Sequence, residues 1–259
     1  GGGAAGRGAM TAPRLLDAGD GALTIEFGET IDLALSARVA ALDALVSAAI
    51  DAGTLPGVIE TMPTFRSLTL LYDPLRTRQR SLRAALAPLL AAAGAGAAAD
   101  GRRWRLPVAY GGASGADLDD LAAATGLTPA QVIDLHAGTT YRIYMLGFLP
   151  GFPFMGDLPA ALHRPRRTEP RLRVPPGSVA VANGLTAIYP WQSPGGWHLL
   201  GRCPVPLFDA AAATPALLAP GDSVHFEPVS PDRLAELQAA IAAGELAPDT
   251  WLETDHAAA

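Results

Sequence analysis

Three proline- and glycine-rich stretches carry the side chains best able to do chemistry in this 259-residue sequence. The first is Gly147-Phe148-Leu149-Pro150-Gly151-Phe152-Pro153-Phe154-Met155-Gly156. Proline fixes φ and glycine permits backbone shapes that other residues resist, so this loop is rigid as well as aromatic. It can form an apolar wall for a small ligand or a partner protein, with Phe148 and Phe152 as its face. The alternative is a stiffened turn whose phenylalanines plug the end of a barrel. The second stretch, residues 165–178, sets Arg166, Arg167, Arg171 and Arg173 before the turn Pro175-Pro176-Gly177-Ser178. Guanidinium groups bind carboxylate or phosphate through a planar pair of donors. Ser178 can add a hydroxyl donor to an anion. It is not assigned as a nucleophile, because no GxSxG elbow surrounds it. The third stretch, residues 189–198, offers the Gln192 amide, then Pro194, Gly195, Gly196, Trp197 and His198. Paired glycines let backbone N–H groups approach an oxyanion. Trp197 supplies a flat wall, and His198 titrates near neutrality. A lone histidine beside a tryptophan also fits a hydrogen-bonded structural role. Together Phe148, Phe152, Arg166, Arg171, Ser178, Gln192, Pro194, Gly195, Gly196, Trp197 and His198 make a candidate substrate- or anion-binding pocket. No catalytic residue is assigned within it.

Composition narrows the chemistry. All 19 cationic side chains are arginine. A Schiff-base lysine, a lysine base and the phosphate-binding pattern GxxxxGK(S/T) are therefore excluded. If ATP is used, its phosphates are held in another way or shared with a partner. The net charge is −6, yet residues 141–202 hold seven arginines against Asp157 and Glu169. One basic segment in an acidic chain suggests a local anion site rather than a nucleic-acid surface. Pairing with acids elsewhere is the alternative. The five histidines, His136, His163, His198, His225 and His256, lack metal-ligand spacing, and a zinc site is not expected. The single cysteine, Cys203, precedes Val205, Leu207 and Phe208 and reads as a small buried apolar residue. A lone cysteine also fits a reducing cytoplasm. Neither a secretory signal nor a membrane span is expected. Residues 1–9 read as a vector remnant or a mis-assigned start.

The elements that must position these stretches fall into two groups. The first half alternates strands and helices. Residues 22–27, 58–62, 67–72 and 104–109 read as strands, and 32–52 and 77–93 as helices. Pro88 inside the second helix argues against its continuity. The order β-α-β-β-α-β is that of a ferredoxin-like unit. Residues 94–101 form the best linker. Two short helices follow, at about 118–125 and from Pro129 to Gly138, the second capped by Thr128. From Tyr141 on, short apolar runs alternate with turns. Residues 141–148, 178–182, 186–189, 198–201 and 223–227 are strand candidates of an all-β barrel or sandwich. Residues 232–243 read as a terminal helix. The expected division is a leader at 1–13, a ferredoxin-like α+β domain at 14–100, a barrel domain at 101–231, and a helix and tail at 232–259.

The ordered motifs YRIYMLGFLPGFPFMGDLP, PRLRVPPGSVAVANGLTAIYP, SPGGWHLLGR, LFD and PGDSVHFEP resemble the KipI family, also called allophanate hydrolase subunit 1. The resemblance covers about residues 128–228 and is weaker upstream. It implies that the barrel is cyclophilin-like. It implies the B subunit of an ATP-dependent 5-oxoprolinase, which turns 5-oxoproline, ATP and water into glutamate, ADP and phosphate. Implied partners are a KipA-type allophanate hydrolase subunit 2, which is the C subunit of 5-oxoprolinase, and an A subunit of LamB/YcsF type. ATP with Mg would be shared with a partner, and no nucleic acid or membrane is involved. Other branches of the family imply an inhibitor of a sensor histidine kinase, or an acceptor-binding subunit of a urea or amide carboxylase. A prolyl isomerase rests on fold likeness alone. The family's PAGS segment stands here as Pro175-Pro176-Gly177-Ser178, a stiffer turn.

Overall fold

The computed structural model describes residues 12–94 and 101–253. The expected leader and linker, and His256, fall wholly or largely outside them. The chain divides into two compact units, Gly1–Ala99 and Asp100–Ala259.

In the first unit, strands β1 (Arg14–Asp17) and β2 (Ala22–Glu26) lead to helix α1 (Leu33–Asp51). Strands β3 (Val58–Pro63) and β4 (Ser67–Tyr72) and helix α2 (Gln79–Ala93) follow. The Asp32 side chain starts α1 by accepting from the Ala34 and Leu35 N–H groups. By length and composition α1 is apolar enough to cross a membrane, contrary to the sequence expectation. Its Val39, Leu42 and Val46 are buried with Leu23, Ile25, Leu68 and Leu70 of the sheet. Helix α2 runs through Pro88. The carbonyl at Ala84, which Pro88 cannot serve, belongs to an exposed residue and can turn to water.

The antiparallel sheet has the order β1-β2-β4-β3. This corrects the expected ferredoxin-like unit in one strand. Residues 104–109, counted in the β-α-β-β-α-β order yet inside the expected barrel domain at 101–231, belong to the second unit, and β1 takes the edge beside β2. Burial explains the choice. Trp104, Leu106 and Val108 alternate inward and find a closed core in the second unit.

That core lies in a closed barrel. Its first members are β5 (Arg103–Tyr110), helices α3 (Leu118–Thr125) and α4 (Pro129–Ala137), β6 (Thr140–Leu146) and β7 (Pro153–Met155). Next come β8 (Arg171–Val174), β9 (Ser178–Ala182), β10 (Leu185–Ile188), β11 (Ser193–Gly195) and β12 (His198–Arg202). Strand β13 (Ser223–Pro228), helix α5 (Pro231–Ala242) and a short 3-10 helix (Pro248–Trp251) follow. The barrel order is β10-β7-β6-β13-β5-β12-β9, and β8 and β11 form a separate two-stranded sheet. Among the described residues only the β5–β13 pair is parallel. Asn183 and Gly184, both at positive φ, make the two-residue turn that joins β9 to β10. A full capping box, Thr128 with Gln131, starts α4.

One polar chain crosses the apolar interior. The Tyr110 hydroxyl lies 2.8 Å from His136 Nδ1, and His136 Nε2 lies 2.9 Å from Thr186 Oγ1. Thr186 donates to the Ala180 carbonyl, so its oxygen accepts from Nε2–H and Nδ1 accepts from Tyr110. Burial pushes the His136 pKa down to about 3 and keeps the ring neutral. Burial likewise pushes the Cys203 thiol up to about 12, as befits a packing residue.

Candidate functional site

The three stretches meet on one flank of the barrel. Strand β8 pairs with β11, placing Arg171 opposite Gly195. The Arg167 N–H donates to the Gly196 carbonyl at 2.7 Å. His198 Nε2 lies 2.9 Å from the Pro165 carbonyl and donates to it. The aromatic loop joins the same flank through Phe152, whose ring sits 5.0 Å from Tyr189 and 6.2 Å from Trp197.

The anchor of the arginines is a residue that sequence reasoning missed. Asp117, 1% exposed, lies just before α3. It accepts from Arg167 Nη1 at 2.9 Å and from Arg171 Nη1 and Nη2 at 2.8 and 2.6 Å. It also accepts from the Leu199 N–H at 2.7 Å. Burial alone would raise its pKa. The Arg171 hydrogen bonds, the Leu199 N–H and the two guanidinium charges outweigh that and hold the carboxyl below its ordinary range. One charge thus fixes two cations in place. Beside them runs an open groove of about 320 Å³ lined by Arg164, Pro165, Arg166, Arg167, Glu169 and His198.

The predicted site residues therefore separate into groups. Arg166 and His198 line the groove, and Arg171 stands beside it on Asp117. Phe152 and Trp197 are core rather than ligand wall. They pack with Tyr189, Val174 and Leu199 against the outer face of the barrel. Ser178 is not an anion donor, because its buried hydroxyl donates to the Pro175 carbonyl at 2.8 Å. The space that Gly195 leaves open is filled from within. A Cβ there would stand 2.4 Å from the Tyr189 hydroxyl. Gly196 accepts from the Arg167 N–H through its carbonyl. Gln192 and Pro194 are exposed. Phe148 is 64% exposed at φ 66, and near the loop lies Trp191, 46% exposed, whose Nε1 donates to the Pro150 carbonyl. The single guanidinium-lined cavity expected from the clustering is thus an open groove with part of its charge neutralised internally. Among the described residues no cluster of three or more His, Cys, Asp or Glu could hold a metal ion.

The fold is thus an α/β unit and a unit built on a closed barrel. The chain belongs to the family described as carboxyltransferase domain, subdomain C and D, which matches residues 13–218. Its relatives are more particular. It is 42% identical over 184 residues to the 5-oxoprolinase B subunit of Escherichia coli O157:H7, covering 67% of this chain and 79% of that one. It is 37% identical over 226 residues to the 5-oxoprolinase B subunit of Bacillus subtilis strain 168, covering 82% and 91%. The KipI-type membership implied by the motifs is thereby shown. The crystal structure of TTHA0988 superposes with a TM-score of 0.70 at 39% identity, over 81% of this chain. The matched part is only 40% of the TTHA0988 chain.

Proposed function

We propose that this chain is the B subunit of an ATP-dependent 5-oxoprolinase and works in a cytoplasmic complex with a KipA-type C subunit plus a LamB/YcsF-type A subunit. The observation that carries this reading is the identity to 5-oxoprolinase B subunits over most of the chain. The groove supports it. The substrate is a small lactam carboxylate, and Arg166 on the groove, beside Arg167 and Arg171 held by Asp117, offers it a guanidinium pair of donors.

In this reading the lactam oxygen attacks the γ-phosphorus of ATP and ADP leaves. Water then opens the activated ring and releases phosphate. The role of this chain is to hold the carboxylate while negative charge builds on the transferring group. Magnesium is not assigned to these residues, which offer no carboxylate cluster for it. It would be held by a partner. We further read the N-terminal unit as a ferredoxin-like variant and the barrel as cyclophilin-like.

The test is reconstitution. The chain is purified with both partner subunits, and ATP-dependent glutamate release from 5-oxoproline is measured with and without it. Release that requires the chain supports the assignment. Full release without it rejects the assignment.

A further inference from the structure

The groove lies near the start of β12. At the other end of that strand stands Arg202, and the two ends are about 13 Å apart. Arg202 is half-buried, and its Nε is sealed from solvent with no hydrogen-bond partner. Among the described residues no carboxylate pairs with it, and burial alone lowers its pKa. Buried cations are ordinarily paired, and a buried donor without an acceptor is costly. The surroundings do not supply one. The hydroxyl of Ser178, its register partner on β9, donates to the Pro175 carbonyl and does not accept from the Arg202 Nε–H. The Gly177 N–H donates to the Tyr189 carbonyl, and the Cys203 N–H to the Gly177 carbonyl.

The neighbouring turn is shaped to admit the side chain. Gly177 sits at φ 76, and a Cβ there would stand 3.3 Å from Arg202 Cδ and 2.2 Å from the Cys203 carbonyl oxygen. The same barrel end carries the aromatic loop, since β7 enters the barrel opposite the end of β10. Phe148 is strained there, and Phe148 and Trp191 are both exposed.

We propose that Arg202 is the binding residue of a second anion site, which takes a carboxylate or phosphoryl group of a small molecule at the barrel end opposite the groove. A planar guanidinium fits two coplanar oxygens, and an oxyanion arriving at its Nη groups supplies the missing charge beside the sealed Nε. No small lactam reaches both ends of β12. The second site therefore serves another ligand, or the phosphate end of a larger one.

The experiment titrates inorganic phosphate, 5-oxoproline and MgATP calorimetrically into wild type, Arg202→Gln and Arg202→Lys. Each is studied alone and with the KipA-type partner, alongside thermal unfolding. At least one probe is expected to bind wild type and to lose roughly tenfold or more in affinity in Arg202→Gln, with Arg202→Lys between them. Loss of 5-oxoproline binding identifies a carboxylate, and loss of phosphate or MgATP binding a phosphoryl group. The Tm of Arg202→Gln should not fall, because no internal partner is orphaned. Unchanged affinity for every probe, or no binding by wild type, overturns the proposal. So does a lowered Tm with unchanged affinity, which would make Arg202 structural. Weakened association with the KipA-type partner, and nothing else, would assign Arg202 to that partner's acidic side chain and overturn it equally. Absence of glutamate release by the wild-type complex would sink the 5-oxoprolinase reading but leave the direct titrations standing.

Discussion

The two ends of β12 treat their cations in opposite ways. At the start, Asp117 gathers Arg167, Arg171 and the Leu199 N–H on one buried carboxylate, and every oxygen has a donor. At the finish, Arg202 has no acceptor for Nε, Phe148 holds a left-handed backbone, and Trp191 is exposed. The first end is settled within the chain and can be rigid before any ligand arrives. The second holds polar and conformational costs that something outside these residues must relieve. A charge already paired is positioned, whereas a charge left unpaired is available. The arginine count alone does not distinguish the two.

Among the charged groups, the largest effect should come from breaking the settled end. Asp117→Asn leaves two part-exposed guanidinium groups facing a neutral amide. It should lose about 2–4 kcal/mol in urea unfolding, allowing for solvent screening of the arginines. The variant also raises the local positive charge. If position matters more than charge, affinity for 5-oxoproline should fall although the groove has become more positive. A rise in affinity, or a stability loss no larger than that of Arg202→Gln, would break the contrast.

Next in size is a pH effect from the barrel interior, where a titratable group is kept neutral rather than paired. The folded pKa of His136 is about 3, below the ordinary 6.5. Between those values the unfolded chain binds a proton that the folded chain does not. Stability is therefore complete above pH 6.5 and is lost as pH falls toward 3, by about 1.4 kcal/mol per unit. At pH 5 the loss should be about 2 kcal/mol in chemical denaturation. His136→Gln should flatten that slope. The Asp117 contribution is lost only below its ordinary 3.8, so above that pH the His136 loss stands clear of it. A slope that survives in His136→Gln would refute the assignment.

Much of the second unit was readable from residue order. The run Ser178-Val179-Ala180-Val181-Ala182, the Asn183-Gly184 turn and the Thr128-Pro129 helix start each carry a local physical signal, and each element forms there. The meeting of the three stretches was readable as well, because stiff short loops between strands have few places to go. The partner of the arginines was not. Asp117 lies 50 and 54 residues from Arg167 and Arg171, in a segment that reads as an ordinary acidic helix start. Its side chain does not cap α3, and no local pattern shows that. The fate of β5 was hidden for a related reason. Its alternation suits either unit, so it fitted the β-α-β-β-α-β order although it lay inside the expected barrel domain, where closure of the barrel holds it. Strands β7, β8 and β11 are three or four residues long, too short for periodicity to register.

Gly195 sharpens the contrast on a smaller scale. Gly195→Ala would drive a methyl group against the Tyr189 hydroxyl and should cost about 1–3 kcal/mol. Its neighbour is the control. A Cβ on Gly196 would meet nothing nearer than Pro170 Cβ at 3.6 Å, so Gly196→Ala should stay within about 0.5 kcal/mol of wild type. Equal losses in thermal unfolding would show that the glycines serve the β11 backbone, not the closeness of Tyr189.

The smallest effect is expected at Phe148, and its sign is informative. A non-glycine residue in the left-handed region costs about 1–2 kcal/mol. Against this stands one edge-on contact with Phe152, at 5.4 Å between ring centroids, worth about 0.5–1.5 kcal/mol. Phe148→Gly relieves the backbone, loses that contact and adds freedom to the unfolded chain. These terms nearly cancel, so unfolding should shift by less than about 1 kcal/mol in either direction. Phe152→Ala, which empties a buried site among Phe154, Tyr189 and Trp197, should lose about 3–5 kcal/mol. If Phe148 serves contacts outside this chain, Phe148→Gly should weaken co-purification with the KipA-type partner while leaving stability unchanged. A loss of stability as large as that of Phe152→Ala would make Phe148 part of the settled core, and would move the loop from the available end of β12 to the settled one.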